Sequence, residues 1–391
     1  GTTGAFTNSG TLNNSGTVAS LTNTGDTTND GTITGSVTNN GGTITNNGTT
    51  GAVTNNSGTV DNFGVMTDVA NSDIFNNHSG ATVATLTNSG TATNDGTVTG
   101  SVTNSGTLTN SGTTGNWTNS NTIANSGTMG DGTNDSGATF TNDGTVGDVT
   151  NNGTFANNSG STGGAFINGG TLTNGGTLAS LTNTGSATNS GTVSGSVTNT
   201  TGTFTNSGTT GNWTNDDTII NSGTMGDGTN NSGSTYTNSG TVGSVDNSGT
   251  FANNGGTTGA FTNRNILTND ATGTIASLTN TGTATNDGTI TGNIDNTGSF
   301  TNNGTGGNVV YNNYIITNNG TLGDISNVGS VTNNGTAGAV TNDGDFTNSS
   351  GATVASLTNT VNATNDGTIT GNTTNSGTLT NNGTGGDITN T

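Results

Sequence analysis

An apolar residue two places before an Asn, usually with Thr between them, returns every 15 to 17 residues along this chain. The series runs Phe6, Leu21, Val37, Val53, Val69, Leu86, Val102, Trp117, Val149, Phe166, Leu181, Val197 and Trp213. It continues through Val245, Phe261, Leu278, Ile294, Val310, Ile325, Val340 and Leu357 to Ile388. Gly132, Gly228 and Thr373 keep the register without an apolar side chain, which makes about 25 anchors in all. An Asn follows each one: Asn8, Asn23, Asn39, Asn55, Asn71, Asn88, Asn104, Asn119, and so on to Asn390. A disordered chain has no reason to hold that register. The strict period limits the chain to an architecture of stacked repeats.

Each period carries a second apolar position inside Thr-φ-Thr-Asn, as at Leu108 and Leu172, where φ stands for an apolar residue. A third lies inside Gly-Thr-φ, as at Ile33 and Val146. One inward side chain between two outward Thr neighbours is strand periodicity, not helical periodicity. Thr, Val and Ile favour strands, and the Asn and Gly between them supply turns. The expected fold is all-β: a single parallel β-solenoid over residues 1–391, right-handed, with three short strands per turn of about 16 residues. Leu21, Leu86, Trp117, Leu181, Trp213, Leu278 and Leu357 are expected core anchors, and the Asn series an internal ladder of stacked amides. About 25 turns at ~4.8 Å would give a rod on the order of 120 Å long. Pro would delete a donor from such a ladder, and the chain has none.

Composition acquires its meaning from this pattern. Only 24% of the chain is hydrophobic and 6% charged, against roughly 45–50% and 25% in an average globular domain. Spread evenly, that composition would mean disorder. Placed inward, it supplies about four apolar side chains to each turn, and a narrow three-sided turn needs about three. The formal charge of −21 opposes binding to a phosphate backbone, so nucleic acid is not an expected partner. The absence of Cys and the single His exclude the common zinc, thiol and Ser–His–Asp chemistries, and no cofactor is expected. No apolar run reaches the ~18 residues of a membrane span, so no membrane insertion is expected.

A longer period lies on top of the short one. Trp117 and Trp213 are 96 residues apart, as are Met129 and Met225, Phe140 and Tyr236, and Phe155 and Phe251. Six turns were therefore duplicated as a unit. The chain begins and ends inside a repeat, which reads as a segment of a larger precursor or as a subunit stacking end to end through open strand edges.

The stretch Leu278 to Gly292, Leu-Thr-Asn-Thr-Gly-Thr-Ala-Thr-Asn-Asp-Gly-Thr-Ile-Thr-Gly, resembles the β-helical repeats of large bacterial surface proteins. These are the passenger regions of autotransporters and the secreted adhesins of the filamentous-haemagglutinin class. The resemblance implies a right-handed parallel β-helix, export to the cell surface, and a role in adhesion, aggregation or biofilm matrix. The implied partners are further copies of the chain and cell-surface glycans or matrix polysaccharide.

Few residues stand out as candidate sites. The Asn-Asp-Gly corners at Asp30, Asp95, Asp143, Asp287, Asp343 and Asp366 could suggest calcium, but most lie several turns apart, which favours ordinary turn chemistry. Asp131 and Asp148, one turn apart, are the candidate pair for a shared cation; two solvated carboxylates are the simpler reading. Trp117 and Trp213 take the inward position and read as core. Tyr311 takes the outward Thr place and lies with Tyr314 in the irregular segment 309–316, where the two are candidate glycan contacts. His78 and Arg264 read as solvated loop and corner residues. Two other functions compete with a structural adhesin. Outward Thr columns are similar to the ice-binding lattice of insect antifreeze proteins, although alternating turn lengths and Asn, Ser and Asp interruptions count against a regular face. A polysaccharide-binding or polysaccharide-degrading β-helix would need clustered acids and bases, and the chain lacks the bases.

Overall fold

The computed structural model describes residues 1–391. It contains 59 short strands and no helix, and so no helix long and apolar enough to cross a membrane. The chain forms two compact units, Gly1–Gly195 and Ser196–Thr391. Each unit is a parallel β-solenoid with turns of about 16 residues.

One turn shows how sequence becomes structure. An anchor strand, Val102–Asn104, is followed by a middle strand, Thr107–Asn110, and a short third strand, Thr113–Thr114. The next turn repeats them as Trp117–Asn119, Thr122–Asn125 and Thr128–Met129. Equivalent positions pair in parallel: Val102 with Trp117, Leu108 with Ile123, Thr113 with Thr128. Inward φ positions are buried, as at Leu108, Ile123 and Phe140, while the flanking Thr face outward. Leu21, Leu86, Trp117, Leu181, Trp213, Leu278 and Leu357 all lie in the core.

Turn length varies mainly at the corners and leaves the register of the middle strands intact. In the 17-residue turns two extra residues enter a corner beside the middle strand, before it as in Asn134-Asp135-Ser136-Gly137-Ala138 or after it as in Asn77-His78-Ser79-Gly80-Ala81. Gly137 takes a φ of 84°, and Ala138 tucks into the interior. Gly80 with Ala81, Gly160 with Ser161, Gly233 with Ser234 and Gly351 with Ala352 repeat the device. A left-handed φ followed by a small buried residue lets the corner bulge and return without moving the strands. Alternating turn length therefore does not disrupt the outward columns, contrary to the sequence expectation. Where columns break, substitution breaks them, as at Asp26 opposite Thr11 and Ile74 opposite Thr59.

The Asn series forms a buried ladder that runs in one direction. In the first unit Asn8, Asn23, Asn39, Asn55, Asn71, Asn88, Asn104 and Asn119 each donate through Nδ2 to the Oδ1 of the Asn one turn later, at 2.8–2.9 Å. The same amide also reaches backbone carbonyls: Asn88 Nδ2 donates to Gly90 O at 3.0 Å and to Thr107 O at 2.9 Å. A second ladder, not singled out from the sequence, is built from the Asn closing each middle strand. Asn94 donates to Asn110, Asn110 to Asn125 and Asn125 to Asn142, each at 2.7 Å. Both ladders recur in the second unit, for example Asn280 to Asn296 and Asn286 to Asn302. An Asn amide carries two N–H donors and a separate carbonyl acceptor on one short uncharged side chain, so each can accept from the turn before and donate to the turn after. Asp in series would stack charge on charge about every 4.8 Å.

In part of each unit the interior between the ladders is filled by rings. Trp117, Phe140, Phe155 and Phe166 contact in sequence, with centroids 4.5, 4.6 and 4.9 Å apart. In the second unit Trp213, Tyr236, Phe251 and Phe261 copy the arrangement at 4.5, 4.8 and 4.8 Å. Each indole lies across the glycine one turn on: a Cβ added to Gly132 would sit 2.1 Å from Trp117 Cδ2, and one on Gly228 2.2 Å from Trp213 Cδ2. This accounts for both glycines at anchor positions. The indole fills the space the missing side chain leaves, and the duplication copied the pair together.

Candidate functional site

The outer corners hold most of the carboxylates, and adjacent turns use them as acceptors. Each Asn-Asp-Gly corner receives a side-chain hydrogen bond from the following turn. Asn47 donates to Asp30 at 2.7 Å, Ser111 to Asp95 at 2.5 Å and Asn158 to Asp143 at 2.7 Å. Asn303 donates to Asp287 at 2.6 Å, Asn382 to Asp366 at 2.9 Å, and Thr360 to Asp343. These Asp act as links between turns. Asp270 is the most heavily engaged carboxylate. Burial alone would raise its carboxyl, but donation from Thr272 N and Oγ1, Gly255 N and Gly273 N outweighs that and holds it below the usual carboxylate range.

Asp131 and Asp148 lie in one column at the corner before the anchor strand. Asn116 Oδ1 accepts from Asp131 N at 3.1 Å, Asp131 Oδ1 from Asp148 N at 2.9 Å, and Asp148 Oδ1 from Ala165 N at 2.8 Å. The chain bends here, and the staircase of Asx oxygens caps backbone donors at the bend. Asn308 and Asp324 do the same in the second unit, accepting from Asp324 N at 2.9 Å and Ala339 N at 2.8 Å. No third acidic or His side chain joins Asp131 and Asp148 to complete a group that could hold a metal ion. A shallow groove of about 440 Å³ crosses this corner, lined by Asn116, Trp117, Asp131, Asp148 and the exposed Ile167.

Trp117 and Trp213 are buried, and each Nε1 donates inside its own unit, to Gly130 O at 2.9 Å and Gly226 O at 3.0 Å. Tyr311 and Tyr314 are 40% and 54% exposed. The anchor preceding them stands one residue before the Val310 that the spacing predicts. Val309 is the buried anchor and Val310 is 48% exposed, because the pairing slips between Ile294 and Asp295, so that Val309 faces Ile294 and Tyr311 faces Asp295. The β-bulge puts Val310 and Tyr311 outward together, beside a groove of about 300 Å³ lined by Asn308, Val310, Asp324 and Thr341. Bulges commonly re-aim side chains in this way.

His78 and Arg264 have defined partners that spacing did not reveal. His78 stacks on Phe63 with centroids 4.0 Å apart, and its Nε2 lies 3.2 Å from Asp61 Oδ1. Arg264 forms a two-point contact with Asp246, at 2.9 and 3.0 Å, on the exposed surface. Both contacts join residues 17 or 18 positions apart, one turn along the stack.

Comparison with protein-family models, with curated proteins and with solved structures finds no match for the chain.

Proposed function

We propose that this chain is a structural, non-catalytic segment of a bacterial surface adhesin or matrix fibre. Its stacked turns act as a spacer and present a repeated hydroxyl and amide surface to cells, glycans or further copies of the chain. The observation that carries this reading is the pair of buried Asn ladders in each unit. Every turn uses its buried amides to hold the next, which gives cumulative resistance to unfolding in a part working outside the cell. With a single basic residue, Arg264, trypsin-like proteases have one cleavage site.

The outward Tyr311, with Val310 beside it and the Asn308–Asp324 groove next to it, favours a glycan contact at one place on the second unit. An exposed ring stacks on a sugar face, while neighbouring amide and carboxylate groups bond its hydroxyls. Displayed on a non-adherent bacterium, the chain is expected to increase autoaggregation and retention on immobilised polysaccharide. Tyr311→Ala with Tyr314→Ala should reduce the retention and leave the fold intact by circular dichroism. Cells displaying the chain that settle and attach no better than the parent strain would overturn the proposal.

A further inference from the structure

One surface is more regular than a spacer requires. From Thr91–Asn94 to Ser186–Asn189, seven successive middle strands pair in unbroken register. Each presents two outward positions. Eleven of these fourteen are Thr, and the exceptions, Ala124, Ala156 and Ser186, are small. No charge stands in either column. Of the hydroxyls only that of Thr122 is engaged within the chain, on Asn121 Oδ1 at 3.3 Å.

The molecule supplies its own control for whether packing demands this. Earlier in the same unit the same columns hold Asp26, Asp61, Ile74 and Asn76, and parallel pairing continues through them. In the second unit they hold Ile220, Ile266 and Asp345. The fold accepts charge and bulk at these positions, so a patch of seven turns with neither has a source other than folding.

The patch is also rigid. Behind it lie the buried Leu108, Ile123, Phe140 and Phe155, and the amide ladder through Asn94, Asn110, Asn125 and Asn142 fixes each strand to the next. Neighbouring strands stand ~4.8 Å apart and alternate residues along a strand ~6.7 Å apart. The result is a fixed two-dimensional array of paired methyl and hydroxyl groups. A small soluble ligand wants a concavity with converging polar groups, and a sugar wants an aromatic platform; this face has neither. A ligand that is itself a two-dimensional lattice of hydrogen-bonding oxygens, with hollows for methyls, fits. The oxygen repeats on a surface of hexagonal ice lie close to these two spacings. We infer that this face of the first unit binds ice. The inference is independent of the adhesin reading.

The test uses the full chain. Thermal hysteresis and ice-crystal shaping are measured for the wild type, for Thr109→Asp with Thr141→Asn, and for Thr103→Asp with Thr133→Asn on the anchor-strand face. The first pair introduces residues that this column already carries at Asp61 and Asn76, so folding should be retained, with circular dichroism as the check. Expected are hysteresis and faceted crystals for the wild type, at least a five-fold loss for the first pair, and retention for the second. Absence of hysteresis in the wild type at millimolar concentration, or equal loss in both folded variants, would overturn the inference.

Discussion

Replacing Asn104 with Asp changes one group in the middle of a ladder and reverses its chemistry. Asn104 is fully buried. Its Oδ1 accepts from Asn88 Nδ2 at 2.8 Å, and its Nδ2 donates to Gly106 O at 2.9 Å, Asn119 Oδ1 at 2.8 Å and Thr122 O at 2.9 Å. In the Asp variant one carboxylate oxygen keeps the bond from Asn88, and the other faces three acceptors. The two Nδ2 hydrogens are shared among those three acceptors, so two bonds lost at about 1 kcal/mol each come to about 2 kcal/mol. An unpaired buried charge brings the total to about 3–5 kcal/mol. Protonation relieves this in part, because a carboxylic acid can donate to one of the three. The native-state pKa of the new Asp must therefore rise above the ordinary value of about 3.9. The folded state then holds a proton that the unfolded state releases, so the variant loses stability as pH rises from about 4 toward the native pKa, by up to about 1.4 kcal/mol per unit.

A stacked-repeat chain opens locally, so the readout should be local as well. Ser105 N donates to Asn88 O at 2.7 Å and Ser120 N to Asn104 O at 2.7 Å, and these amides report the opening. Hydrogen exchange measured by mass spectrometry at pH 7 should accelerate there by about 100-fold or more, since each 1.4 kcal/mol is tenfold. Peptides around Asn39 should be unchanged. At pH 4.5, after correction for the intrinsic rate, the acceleration should shrink. Asn104→Leu, which has no titrating group, should be as destabilised at both values. An Asp variant with less than tenfold acceleration at pH 7, or a pH-independent effect, would refute the account of the ladder.

Three further outcomes follow from the interior. Trp117→Val should cost about 3–5 kcal/mol as a cavity and Gly132→Val about 1–3 kcal/mol or more as a clash, whereas the double variant restores the common repeat; urea unfolding should show a favourable coupling energy above about 1 kcal/mol. Thr50 Oγ1 is buried with no hydrogen-bond partner, so Thr50→Val should stabilise its turn by about 1 kcal/mol, read as slower exchange at Thr49 and Gly51. Burial pushes the Tyr236 phenol well above its usual range, and its Oη donates to Met225 Sδ at 3.1 Å. Above pH ~10 the unfolded state loses a proton that the folded state keeps, so stability falls with rising pH. In a chain carrying Tyr311→Phe and Tyr314→Phe, phenolate absorbance should be missing at pH 11 until the protein is unfolded.

What could be read from the sequence was whatever depends on period alone. Strand class, three strands per turn, the inward anchors and the first Asn column all follow from positions that repeat within one turn. The second ladder rests on an equally regular signal, the Asn that closes each middle strand. The contacts that were not legible join residues one turn apart through irregular places. Phe63 with His78, Asp61 with His78, and Arg264 with Asp246 depend on which corner residues the 15-, 16- and 17-residue turns bring side by side. Spacing predicts Val310 as the anchor, because Asn312 stands two places after it; the bulge makes Val309 the buried residue, and no spacing rule marks a bulge.

Gly132 illustrates how the two levels join. By composition it is one of 71 glycines, and by period it is an anchor without a side chain. The indole of Trp117 occupies its place. At Trp117 with Gly132, and again at Trp213 with Gly228, the unit of packing is therefore a pair of adjacent turns, a large anchor filling the place of a missing one. The same logic separates the outer faces. Where neighbouring turns exchange side-chain bonds, as at Asp287 with Asn303, a residue's identity is set by its neighbour. Where they exchange none, as along the Thr columns from Thr91 to Thr188, a repeated identity answers to something outside the chain.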